Sequence, residues 1–155
     1  MGATDAVRAL TDGERRLADT IFRGAVDFSQ VTVKRKKWFP FQPRTILMAP
    51  TGHLHAHPKG GLWSADYAQE RLGLQALFLH ELTHVWQAQR RGRFYLPLMR
   101  HPLCRYDYAV RPGLKFERYG LEQQAEIVRH VHLLRHAHAF PGAPALAQLE
   151  SILPF

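Results

Sequence analysis

His80 and His84 stand four residues apart with Glu81 between them, inside the apolar-rich run Leu77-Phe78-Leu79-His80-Glu81-Leu82-Thr83-His84-Val85-Trp86. If the run is helical, at about 100° per residue, the two imidazoles lie about 40° apart on the wheel. Both can then reach one tetrahedral metal ion, with Glu81 flanking the same face, close enough to take a proton from an activated water. The plain alternative is a chance spacing, with Glu81 a surface carboxylate paired to neighbouring arginines. Three features favour the metal: the motif sits mid-helix, it opposes an apolar face, and a glutamate-rich helix follows downstream.

A helix is expected from about residue 74 to 91, ended by Gly92. On it Leu74, Phe78, Leu82, Val85 and Trp86 form an arc opposite the histidines, so that one side packs and the other holds metal. Two histidines leave a zinc site one protein ligand short, because catalytic sites use three plus water. The next long helix, expected from about 120 to 139 and stopped by Pro141, offers Glu122 and Glu126 on one face. Spacing alone leaves the order of these two carboxylates open.

Here the chain resembles the gluzincin branch of the zincin metallopeptidases. The resemblance is specific over residues 77–89 and 119–129. It implies Glu122 as the third ligand and Glu126 as the acid that orients His80 or His84 through its free ring N–H. That branch usually has Asp at the second position, so Glu126 is a departure. The phrase from His80 to Gln87 also resembles a group of small bacterial metallopeptidases, some called vgr-related and found beside secretion-spike and toxin loci. The family implies zinc (Zn2+) as cofactor, peptide or protein as substrate, and Glu81 as general base. The fold expected is α+β: a minimal zincin-like domain spanning 1–155, with a small sheet packed on the metal-binding helix and a second ligand-bearing helix.

The other elements must frame that pair. Thr11-Asp12-Gly13-Glu14 is a capping box opening a helix to about Gly24, with Leu17, Ile21 and Phe22 inward. Residues 28–33 alternate and are β-branched, which predicts a strand; 45–48 predicts a second, stopped by Pro50, and 54–57 a third. Asp66 or Ser64 caps a helix beginning near Tyr67, which Gly73 is expected to break or bend. Residues 92–118 look like a long irregular connection, and a short helix is expected around 143–153.

Weaker signals accompany the motif. His53, His55 and His57 alternate and share one face if extended, either as a substrate-side wall or, more simply, as an exposed polar strand face. The resemblance makes 45–57 the candidate edge strand for substrate. Tyr119, Tyr106, Tyr108 and His101 are candidate oxyanion donors, none selected by spacing. His130 lies four residues from Glu126 and can pair with it. Cys104 lacks the setting of a nucleophile.

At 155 residues, 46% hydrophobic and 22% charged, the chain can bury a core without disulfides, and no apolar run approaches the length of a bilayer span. Its first residues lack a secretory signal, and Ala6 stands where myristoylation needs Ser or Thr. With one cysteine, the default expectation is the cytoplasm, signal-free export leaving no trace. The net charge of +8 gathers in 34–37, 90–93 and 100–118. It suits an acidic partner or a solvated basic face; without a nucleic-acid module, nucleic acid is not expected. Two rivals stand beside the hydrolase: a non-enzymatic zinc-binding module of a secretion or toxin system, and a basic nucleic-acid-binding protein.

Overall fold

The computed structural model describes residues 6–101 and 103–155; the reading of the leader over residues 1–5 lies outside them. The elements run as β1 (Val7–Ala9), α1 (Asp12–Phe22), β2 (Thr32–Lys34), β3 (Leu54–His55), α2 (Leu72–Arg91), α3 (Tyr95–Met99), α4 (Leu121–Arg135) and α5 (Leu146–Ile152). The class is α+β with a three-stranded sheet. β2 lies in the middle, antiparallel to β1 (Arg8 opposite Val33) and parallel to β3 (Val33 opposite Leu54).

α1 begins at the capping box: Glu14 N–H donates to Thr11 Oγ1 at 3.0 Å, and Thr11 N–H returns to Glu14 Oε2 at 2.9 Å. Glu14 also accepts both Nη atoms of Arg8, at 2.9 and 2.7 Å, and the Tyr67 N–H at 2.8 Å. One buried carboxylate thus ties β1, α1 and the turn before α2 together. Glu14→Ala leaves Arg8 and two backbone donors without it, and should cost about 3–5 kcal/mol, read as a lower urea midpoint.

Side-chain hydrogen bonds to the backbone overrule several expectations. Residues 28–30 form a 3-10 turn rather than a strand, because Asp27 Oδ1 accepts from Ser29 N–H (3.1 Å) and Ser29 Oγ (2.6 Å). Residues 45–48 form no strand. Only Met48 bridges His55, and the buried Gln42 amide donates to the carbonyls of Ile46 and His55 instead. The third expected strand is β3 alone, and β1 was too short to foresee. Asp66 does cap a turn at Tyr67–Gln69, but Gly73 neither breaks nor bends a helix there; it lies in the first turn of α2. The expected irregular stretch 92–118 contains α3 and a 3-10 turn at Phe116–Arg118. α4 stops before Pro141, closed by His138 N–H on Leu133 O (2.9 Å) with Ala137 left-handed at φ 56°.

α2 is the centre of the molecule. Every residue from 78 to 88 is buried, on the histidine side as well as the apolar side. Phe78, Leu82 and Val85 share one core with Val33 and Leu54 of the sheet and Phe22 of α1. Phe78 stacks on Tyr67, and Trp86 meets Phe116 and Phe155 edge-on. α4 packs along α2 and closes the histidine face. Among the described residues no helix is long and apolar enough to cross a membrane.

Candidate metal centre

One helical turn sets His80 above His84 on α2, their ring centroids 5.1 Å apart and nearly perpendicular. Glu122 enters from the first turn of α4. Its Oε2 lies 3.2 Å from Nε2 of each histidine, and one donor atom from each of the three residues lies within 4.8 Å of the others. All three side chains are buried.

The remaining atoms of these groups are held from behind. His84 Nδ1 lies 2.8 Å from Gln87 Oε1, whose own Nε2 donates to Gln124 Oε1 and to Leu121 O. A proton on His84 Nδ1 therefore leaves the Nε2 lone pair facing inward. His80 Nδ1 lies 3.0 Å from Glu126 Oε1. Glu126 is held in turn by His130 Nε2 (3.2 Å), and His130 Nδ1 lies 2.7 Å from the Tyr108 hydroxyl. A chain Tyr108–His130–Glu126–His80 thus runs from the surface to the cluster. On the other side, Arg100 Nε lies 2.9 Å from Glu122 Oε1.

The donor set fits a divalent cation. Two imidazole nitrogens and a carboxylate oxygen converge in a buried setting that would otherwise require a shared proton. Burial alone lowers the His80 pKa, but hydrogen bonds to Glu122 and Glu126 outweigh it and raise the ring to about 9. Against the same opposing burial, the histidines hold both carboxylates well below the usual range. A metal supplies the positive charge without that proton.

Glu81 is the group left over. It is 4% exposed, so the surface ion-pair alternative does not describe it. Its Oε1 lies 3.9 Å from His80 Nε2, and its Oε2 has no hydrogen-bond partner among the described residues. Burial pushes its pKa up, and the neighbouring histidines pull the other way.

The weaker candidates scatter. His55 is buried, not part of an exposed face. Burial and then Lys34 lower its pKa to about 4. His53 pairs with Thr32 Oγ1 at 2.9 Å, and His57 Nδ1 accepts the Lys59 N–H; the described contacts bring neither to the cluster. The Tyr119 hydroxyl accepts the Arg111 N–H (3.1 Å), which makes it a loop anchor rather than a wall of the site. Tyr106 is the tyrosine that reaches the cluster, its ring within 14° of parallel to His80 at 6.2 Å. Arg100 and Gln87 were not singled out in the sequence. Gln87, three residues past His84, was within reach of helical spacing; Arg100 had no local signal.

Glu122→Ala should empty the site, whereas Glu126→Ala and Gln87→Ala should each weaken zinc about 10- to 100-fold in chelator competition. If Glu126→Ala empties the site and Glu122→Ala retains metal, the two roles are exchanged.

A small sheet, a buried helix and a two-histidine, one-glutamate cluster closed by a second helix define an α+β protein whose gathered donor atoms could hold a metal ion. The chain superposes with a TM-score of 0.74 on the effector domain of Pseudomonas aeruginosa VgrG2b, at 31% identity, over 97% of this chain and 83% of that one. It belongs to the VgrG2b effector-domain family. It is also 36% identical, over 157 aligned positions, to the type VI secretion system spike protein VgrG2b of Pseudomonas aeruginosa. That match covers 96% of this chain and 15% of the spike protein's length. No family model matches the chain.

Proposed function

We propose that the chain is a zinc-dependent metallopeptidase of zincin type, acting as an effector of a type VI secretion spike. The observation that carries the hydrolase reading is Glu81: a buried carboxylate beside the cluster, outside the group of three donor atoms, with one oxygen unpartnered. Scaffolding has no use for such a group, whose burial is costly.

His80, His84 and Glu122 would hold the ion. Zinc held there would supply Lewis-acid polarisation of a scissile carbonyl and would lower the pKa of a water. Glu81 would take a proton at its carboxylate from the attacking water as that water's oxygen bonds to the carbonyl carbon. As the C–N bond breaks, the same carboxylate gives that proton to the leaving amine. Arg100 and Tyr106 stand at the mouth as donors for the developing oxyanion. Gln87 and Glu126 keep the two imidazoles aimed.

A second reading has its own support. The names of both relatives concern a secretion spike and its effector, not hydrolysis, which suits a non-enzymatic zinc-binding module of such a system. Zinc-loaded wild type and Glu81→Gln, incubated side by side with diverse peptide libraries, decide between the two. Cleavage by wild type alone supports the peptidase; no cleavage by either, or equal cleavage by both, leaves the module.

A further inference from the structure

Beside the Tyr108–His130–Glu126–His80 chain opens a cavity of about 320 Å³. The rings of Tyr106, Tyr108, His130 and Phe140 line it, together with the carboxylates of Asp107 and Glu126. No lysine or arginine does, in a chain with 21 of these against 13 acidic residues. The rings pack in series, the His130 centroid lying 5.5 Å from that of Tyr108 and 4.3 Å from that of Phe140. With the Tyr108 hydroxyl donating to its Nδ1, His130 keeps its proton on Nε2 towards Glu126, a tautomer that brings no positive charge to the wall. Glu126 retains acceptor capacity. Its Oε1 meets His80 and Arg129, at 3.0 and 3.4 Å, whereas among the described residues Oε2 meets only His130, and a carboxylate oxygen can accept twice. Asp107 is exposed and adds a second negative charge.

We infer that this cavity is a cation subsite, which takes the lysine or arginine side chain of a substrate peptide close to the bond that is cut. The inference rests on the hydrolase reading for the cut bond, but cation binding itself does not. Aromatic rings attract an ammonium or guanidinium group, and a carboxylate beside them receives its donors. Neither feature is enough by itself: surface acids are common, and rings without charge accept any apolar group. The space is at the small end of ligand pockets, roughly 300–1,000 Å³, and suits one side chain rather than a folded partner. Its place follows from two shared residues. Tyr106 lies over His80 with ring centroids 6.2 Å apart, and Glu126 holds His80 Nδ1, so a residue seated here is a near neighbour of the cluster. A bare calcium ion is a poorer occupant, since it needs about six to eight oxygens and most of this wall is ring. An acidic side chain meets Asp107 and Glu126 as like charges.

The test is an NMR titration of the chain, zinc-replete and chelated, read at the rings of Tyr106, Tyr108, His130 and Phe140. The probes are the Nα-acetyl amides of lysine, arginine, norleucine and glutamate. The lysine or arginine probe should shift these rings saturably and bind at least about 10-fold tighter than norleucine, which has the length without the charge. Asp107→Asn, at an exposed position, should weaken that probe about 3-fold at unchanged zinc content and unfolding midpoint. Phe140→Leu keeps an apolar side chain but removes the ring, and should weaken it by a similar factor. Equal binding of norleucine, tighter binding of glutamate, unchanged binding by both variants, or shifts elsewhere overturns the subsite. So does calcium chloride shifting the same rings at lower concentration than either cationic probe, which would make this a metal site. Peptide-library cleavage separates this inference from the reading beneath it. Saturable shifts without cleavage keep the subsite and remove hydrolysis. Cleavage without preference for a basic residue near the cut bond keeps hydrolysis and removes the subsite.

Discussion

Glu81→Gln should retain zinc and melt like the wild type, yet lose about 100-fold or more in turnover on any peptide the wild type cleaves. Glutamine keeps the shape and the hydrogen-bonding reach of the side chain but cannot hold the transferred proton. The structure allows so clean a separation because Glu81 Oε2 has no hydrogen-bond partner among the described residues and the three donor atoms that gather belong to other residues. Removing a buried carboxylate whose pKa burial has raised should leave stability unchanged or slightly improved. A large fall in zinc content would place Glu81 among the ligands. Unchanged turnover would remove it from the chemistry.

His84→Ala is expected to abolish zinc binding. Wild type should carry about one zinc per chain after dialysis against metal-free buffer, and the variant essentially none. The substitution removes one of three donors and leaves Gln87 Oε1 without its ring partner. A matched control lies in the same molecule. His132 is as buried as His84 (each 1% exposed) and contacts Gln75 at 3.0 Å, but it is not among the gathered donors. His132→Ala should unsettle the fold and keep the metal. Equal zinc loss from both variants would mean that a general loosening, not ligation, is being measured, and full retention by His84→Ala would remove the site.

What could be read from the residues followed the range of the interactions. The His80–Glu81–His84 arrangement needs only one turn of helix, so periodicity places it. The downstream carboxylates needed only that 121–135 be helical, but their order came from the resemblance. The structure sets Glu122 against both Nε2 atoms and Glu126 behind His80. Arg100 approaches Glu122 from a different element, and no pattern around it signals that contact. The strand errors share a cause. Asp27 and Gln42 satisfy backbone groups of 28–30 and 45–48 with side chains, an option that counting β-branched residues ignores. His55 is buried where alternation alone predicts an exposed face, because alternation reports a shared face but not whether that face is covered.

The burial of α2 on both faces reaches beyond packing. Two of the donors ride on a helix with no solvent side, and the third on the helix docked against it, so the cluster forms when the core forms. Nearly every native molecule would then present the donors already gathered, and the affinity for an ion bound there would lose nothing to a minority competent state. The same helix should be the slowest segment to exchange its amide hydrogens, since exposing residues 78–88 means opening the whole domain.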